Sequence, residues 1–217
     1  NDYVGKSLCG GRVAVHPSKG ASFVAEEQVI AGNVIGYGAT AGELFIRGRV
    51  GERFAVRNSG ATLVAEGAGD HALEYMTGGT AVVLGATGRN VAAGMSGGTG
   101  YLLDLDRAKM NAEAVASGAI ELSELDDSDV DVLTTILREH VEETGSAVAQ
   151  RLLDEPEQLR SRFTRVLPRQ YAAVRRILAE LVQRVAVDLG VGLARGHGGT
   201  VDDEIEGVRA DRGSERG

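Results

Sequence analysis

The stretch from Gly51 to Asn90, GERFAVRNSGATLVAEGAGDHALEYMTGGTAVVLGATGRN, repeats itself, and that repeat decides the fold. Similar segments open at Gly32, Gly51, Gly69 and Gly88, in steps of 19, 18 and 19 residues. A second set, Gly42, Gly60, Gly79 and Gly98, keeps the same register with steps of 18, 19 and 19. Aliphatic residues recur beside it: Ile46, Val64, Val83 and Leu102 stand four residues after its members, and Phe45, Leu63, Val82 and Tyr101 three after. A period this short excludes helix-pair solenoids and fits a β-solenoid. At about 3.3 Å per extended residue, one period makes a loop with a perimeter of roughly 60 Å, or three sides of about 20 Å. The glycines are expected at the corners, where positive φ or close approach of the next coil is required. Ile46, Val64, Val83 and Leu102 are expected one above another, about 4.8 Å apart, as an interior ladder. Asn33, Asn58 and Asn90 also fall near corners but share no repeat position, so a single Asn ladder is not expected.

Outward from the repeat, composition changes near Asp104. Residues 1–104 hold 21 of the 31 glycines and seven of the nine aromatics, with 8 basic and 9 acidic residues against 15 and 22 in the remainder. The reading is a mainly β chain: a Gly-rich solenoid over 1–104, a helical extension over 105–189 and a disordered tail over 190–217. Within the extension, Ser128 or Asp129 is expected to cap a helix carrying Val130, Leu133, Ile136, Leu137, His140 and Val141, which stops near Gly145. Ser146 restarts a helix that Pro156 breaks, and Gln170 to Leu189 forms a third amphipathic stretch. From Gly190 onward the mixed charges and glycines offer too little apolar area to order a segment.

A net charge of −8 repels nucleic acid and anionic membrane surfaces alike. The one cysteine, Cys9, rules out an internal disulfide or a cysteine-built zinc or iron–sulfur site and points to a reducing cytoplasm. No run approaches the roughly 20 apolar residues of a spanning helix, and the start has no signal-peptide pattern. The chain opens on Asn1 in what reads as a structured stretch, an opening expected of a piece of something longer.

Candidate sites are few. Gly36-Tyr37-Gly38-Ala39-Thr40-Ala41-Gly42 spaces its glycines as GxGxxxG with no helix pattern behind it, so it belongs to the repeat rather than to a dinucleotide loop. His71 follows Asp70 at a coil corner and is the one candidate general base, although no Ser, Cys or second His stands near it. His16, His140 and His197 are too dispersed for a metal site, and the acidic run Glu121 to Asp131 reads as a solvated helix start. No catalytic, cofactor or metal residue is assigned.

Dense stretches of the chain resemble a known family: Asn1-Asp2-Tyr3-Val4-Gly5-Lys6, His16-Pro17-Ser18, Ile30-Ala31-Gly32-Asn33, Gly36 to Thr40, Gly51-Glu52-Arg53-Phe54, Val56 to Ala61, Gly69-Asp70-His71, Glu74 to Gly79 and Ala93 to Gly98. Beyond the coils, His140 to Ser146 and Leu167-Pro168-Arg169-Gln170-Tyr171 continue the likeness, and only the tail from about Val187 lacks a counterpart. The chain is similar to the C-terminal Gly-rich (GXGXG) β-helix domain of the glutamate synthase large subunit. That resemblance implies a right-handed parallel β-helix followed by helices, acting as a rigid spacer between a glutaminase domain and an FMN-binding synthase domain with an iron–sulfur cluster. The implied partners are those two domains and the small reductase subunit, and no catalytic residue of the family maps onto this chain. Two rivals are a separate β-helix subunit of another redox complex and a hexapeptide acyltransferase with His71 as base. The second needs an aliphatic residue every six positions, a rule that Gly36, Gly42 and Gly48 break.

Overall fold

Apolar runs that recur each period become strands because every turn lays them against the same neighbours. In the computed structural model, which describes residues 1–188, strands β1 (Cys9–Val15), β3 (Ala41–Ile46), β5 (Ser59–Ala65), β6 (Thr77–Val83) and β7 (Gly97–Leu103) pair in parallel in that order. They form one side of a parallel β-solenoid. The short strands β2 (Val29–Ala31) and β4 (Arg49–Val50) pair in parallel on a second side, which the bridge Ala68↔Thr87 continues.

The third side is built from residues that alternate into left-handed backbone. Positive φ recurs at Arg53, Ala55 and Arg57, at His71, Leu73 and Tyr75, and at Asn90, Ala92 and Gly94. Most of these residues send their N–H to a neighbouring coil: Arg53 to Asp70 O at 2.9 Å, Ala55 to Ile35 O at 3.0 Å, Arg57 to Glu74 O at 3.0 Å, and His71, Leu73, Tyr75 and Ala92 likewise. A non-glycine residue pays about 1–2 kcal/mol for this conformation. Here the cost is offset by bonds to both neighbouring coils and by full burial of Ala55, Leu73 and Ala92.

The large sheet is buried on both faces. Leu44, Ile46, Leu63, Ala65, Ala81, Val83 and Leu102 point into the solenoid, while Phe45, Val64, Val82, Tyr101 and Leu103 point outward into a second core. Register pairs Ile46 with Ala65, Ala65 with Val83 and Val83 with Leu102. The expected ladder is therefore corrected at one rung: Ala65 occupies it, and Val64 stacks between Phe45 and Val82 on the outer face. The cause lies in the marker residue. The same bulge sets Gly10-Gly11 against Gly42, Gly60-Ala61 against Gly79 and Gly78-Gly79 against Gly98. Ala61 and not Gly60 therefore holds the place of Gly42, Gly79 and Gly98, and a count of four from Gly60 falls one short, on the other face.

The second set of glycines consequently lies at strand entries rather than corners, with φ of 87° at Gly42, 73° at Gly79 and 81° at Gly98. The first set does mark corners, and there the constraint is space. A Cβ at Gly69 would stand 2.8 Å from Glu52 N, and one at Gly32, Gly51 or Gly88 would overlap Asp2, Asn33 or Asp70 Oδ1 of the preceding coil. Those same oxygens accept the next N–H: Asn33 N to Asp2 at 2.7 Å, Glu52 N to Asn33 at 2.9 Å and Arg89 N to Asp70 at 2.7 Å.

After β7 the chain forms α1 (Ala112–Ala116), β8 (Ile120–Ser123), α2 (Asp127–Thr144), α3 (Ala147–Asp154), α4 (Glu157–Arg162), β9 (Phe163–Pro168) and α5 (Arg169–Asp188). The region read as wholly helical thus contributes two strands. β9 lies antiparallel on β7, with Leu103 opposite Phe163, and β8 lies antiparallel on β9. Helices α2 and α3 cover the outer face of the sheet through Leu133, Ile136, Leu137, Val148 and Leu152, so it is β9 and β8 that continue the last coil. Helix α2 is capped by Asp126, two residues before Ser128 and three before Asp129, because Asp126 and Asp129 form a reciprocal capping box. Gly145 ends it in left-handed backbone and Ser146 caps α3.

The chain divides into two units, Asn1–Tyr171 and the part from Ala172 onward. In the described portion of the second, α5 exposes Val174, Ile177, Leu181 and Val185. The expected tail, 190–217, lies outside the described residues.

Val83 has no solvent exposure and sits between Ala65 and Leu102. Val83→Asp is expected to cost several kcal/mol, since an unpaired carboxylate would enter an apolar stack. Thermal unfolding checks this: melting within a degree or two of the parent chain would refute the interior assignment.

Candidate functional site

Polar chemistry concentrates where the helical layer meets the solenoid and at one corner column. At the first place, Glu66 ends the β5 run and is carried under the α2–α3 turn. Its Oε1 accepts the Ser146 hydroxyl and lies 3.6 Å from His140 Nε2. Glu66, His140 and Ser146 are all buried, and Phe45 packs its ring 5.8 Å from that of His140. Arg47, also from the solenoid, donates to Thr144 O at 3.2 Å in the same turn. Among the described residues, Glu66 Oε2 and both His140 ring nitrogens find no hydrogen-bond partner. The hydroxyl, carboxylate and imidazole are in the wrong order for an activated nucleophile, because Ser146 donates to the carboxylate and not to the ring. What the arrangement does is pin the helical hairpin to the coils.

Two further networks act in the same sense. Arg12 of β1 pairs with Glu43 and donates to Glu143 at 2.9 Å, with Glu139 at 3.4 Å. The bonds to Glu43 and Glu143 hold its guanidinium well above the ordinary arginine value, while burial pushes the Glu139 carboxyl up. At the other end of α2, Arg165 of β9 donates to Asp126 at 2.9 Å and to Asp129 at 2.6 Å, and Tyr101 OH donates to Asp129 at 2.9 Å. Burial pulls the Asp126 carboxyl up, but the Asp129 N–H and the Arg165 guanidinium outweigh it and hold it below its ordinary value.

His71, the single candidate base, stands on the corner column. Its Nδ1 is 3.0 Å from Asn90 Nδ2 and 3.7 Å from Glu74 Oε1. An amide N–H facing Nδ1 occupies the lone pair that a base would use, and the acyltransferase reading loses its catalytic group. The column neighbour Asp70 is held below its ordinary value by the Arg89 N–H and then by the Arg89 guanidinium. Cys9 is exposed. Among the described residues, no group of three or more His, Cys, Asp and Glu side chains is arranged to hold a metal ion. No helix among them is long and apolar enough to cross a membrane.

The sequence pattern of the GXGXG motif family matches residues 1–169, from the first coil through the closing strand β9. The chain belongs to that family. Its relatives include the glutamate synthase [NADH] of Schizosaccharomyces pombe, 50% identical over 177 residues that cover 80% of this chain and 8% of that one. The glutamate synthase [NADPH] large chain of Bacillus subtilis is 45% identical over 193 residues, 87% of this chain and 12% of that one. Ferredoxin-dependent glutamate synthase 1, chloroplastic/mitochondrial, of Arabidopsis thaliana is 49% identical over 173 residues, 77% and 10% respectively. The GXGXG domain described here therefore spans about a tenth of the length of these relatives.

The residues present do not fit the cofactors implied for such an enzyme. Iron–sulfur clusters are held by several cysteine thiolates, and this GXGXG domain offers one. Its GxGxxxG stretch runs through left-handed backbone at Gly36 and Gly38 into β3, so no helix N-terminus is aimed at a phosphate there.

Two outcomes follow from these contacts. Glu66→Ala is expected to cost about 3 kcal/mol, the order found when one partner of a buried pair is removed. Hydrogen exchange should show α2 and α3 losing protection before β5 and β6; uniform loss would argue against a local pin. For Asp126, the depressed folded-state value means that its stabilisation is present above the unfolded value of about 3.9 and is lost as pH falls through the folded one. Asp126→Asn should thus trail the parent by up to about 1 kcal/mol above pH ~4, with the gap closing in acid. Urea unfolding at a series of pH values measures it, and a gap independent of pH would contradict the assignment.

Proposed function

We propose that this GXGXG domain is a stiff structural spacer in the large subunit of a glutamate synthase, the enzyme that makes two glutamates from glutamine and 2-oxoglutarate. The single observation that carries the reading is coil-to-coil bonding on all three sides of the solenoid, combined with side-chain pins to its helical layer. Such an element resists bending, because any tilt between coils breaks bonds on at least one side. In the whole subunit the spacer holds a glutaminase domain and an FMN-bearing synthase domain at a set separation, so that ammonia released at the first reaches the second. This chain contributes geometry, and the chemistry is done by the other domains and their FMN and iron–sulfur groups.

The docking face of this spacer is the first coil. Strand β1 ends the large sheet, and Tyr3, Phe23 and Val24 near it are about half exposed. Open solenoid ends and apolar patches of this kind are covered in working assemblies, and the synthase domain is the proposed cover.

The isolated chain is expected to show neither glutaminase nor glutamate synthase turnover, with glutamate formation from glutamine and 2-oxoglutarate under a reductant as the assay. Turnover above background would sink the spacer reading. In the whole enzyme, Val83→Asp should abolish glutamine-dependent synthesis far more than synthesis from added ammonia. Equal loss of both would mean that the solenoid supports the flavin site itself rather than the spacing.

A further inference from the structure

The corner column that carries His71 continues through Asn90 to Asn111, the residue that caps α1 where the chain leaves the coils. Each link has a fixed polarity. Asn111 Oδ1 accepts the Ala114 N–H at 2.8 Å, which leaves Asn111 Nδ2 as the donor toward its neighbour. That nitrogen donates to Asn90 Oδ1 at 2.5 Å. Asn90 must then present its amide N–H to His71, whose Nδ1 lies 3.0 Å away. A ring nitrogen facing a donor has to be the unprotonated one, so uncharged His71 carries its proton on Nε2.

The charged groups around the ring are Glu74, whose Oε1 is 3.7 Å from Nδ1, Asp70 next along the chain, and Arg89 from the following coil, which pairs with Asp70 at 3.0 Å. Arg53 occupies the equivalent position one coil back, and Lys109 and Glu113 flank Asn111. Two carboxylates thus lie within reach of an imidazolium at His71, one of them already engaged by Arg89.

We propose that His71 is a proton-operated latch on the cap of α1. When a proton from solvent joins the Nδ1 lone pair, two donors face each other across the contact with Asn90. Asn90 relieves this by turning its amide, which sets its Nδ2 against Asn111 Nδ2. Asn111 cannot turn in response without withdrawing Oδ1 from the Ala114 N–H. One bond of the chain is lost wherever the mismatch comes to rest, and the turn that carries the chain out of the last coil is loosened.

The test is nuclear magnetic resonance on the ¹⁵N-labelled full chain, with His71 assigned by the signals missing from His71→Gln. Long-range ring correlations are expected to show the Nε2–H form at neutral pH. On acidification the Ala114 amide and the Asn111 side-chain amide should shift along with the His71 ring, and these shifts should be absent from His71→Gln. Asn111→Asp keeps the cap acceptor but cannot donate to Asn90, so there the Ala114 amide should no longer follow His71. An Nδ1–H form at neutral pH would overturn the proposal. So would an Ala114 amide that stays fixed while the ring titrates, or one that follows His71 equally in Asn111→Asp, which would mark simple charge sensing through space.

Discussion

Everything in this molecule depends on how closely one coil lies on the next. At Gly51, Gly69 and Gly88 the backbone of the preceding coil, or the side-chain oxygen on it, occupies the place where a Cβ would be. That contact lets Asn33 and Asp70 bond the following coil's N–H, and it sets the separation at which the left-handed residues of the third side can exchange hydrogen bonds in both directions. A larger residue at these corners would lift one side of the coil off its neighbour and strand polar backbone on the other two. The glycine content of the first 104 residues is thus a packing requirement more than a demand for flexibility.

The helical layer answers a second need. A sheet whose outward row is Phe45, Val64, Val82 and Tyr101 cannot face water, and α2 and α3 cover it. Apolar contact alone would let such a layer slide. Arg12, Glu66 and Arg165 fix its position at three separate points, each joining a strand or coil residue to α2 or to the turn after it. The Glu66 pin is the buried one of the three, with Glu66, His140 and Ser146 all shielded from solvent.

The period, the solenoid and the capping of α3 by Ser146 were legible in the amino-acid sequence because each depends on spacing or on one residue's chemistry. The ladder assignment failed at Val64 for a reason internal to this fold. A strand buried on both faces reads as a continuous apolar run, so nothing in Leu63-Val64-Ala65 says which residue points inward. A count from Gly60 also falls one residue short, because Ala61 holds the place that Gly42, Gly79 and Gly98 hold in the other coils. Strands β8 and β9 were missed because Ile120–Ser123 and Phe163–Pro168 are short and adopt extended backbone only in answer to the open edge of β7, a tertiary cause that no local pattern carries. The pin at Glu66 joins residues 80 positions apart, and no spacing rule connects them. A lone carboxylate in an otherwise apolar stretch, Leu63 to Gly69, was the one signal available.

The antiparallel strand β9 has a consequence for how such a domain can change over time. Parallel coils add onto a parallel edge, but β9 runs the other way and is itself covered by β8, so growth past β7 is blocked at that end. Extra coils can enter only between existing ones or ahead of β1. Each insertion must bring a whole repeat of 18 or 19 residues to preserve inward and outward faces, and it lengthens the stack by about 4.8 Å. A ruler of this kind is digital. Whatever is attached at its two ends can be moved apart only in whole ticks, and a lineage that needs an intermediate distance has to find it in the joints and not in the ruler.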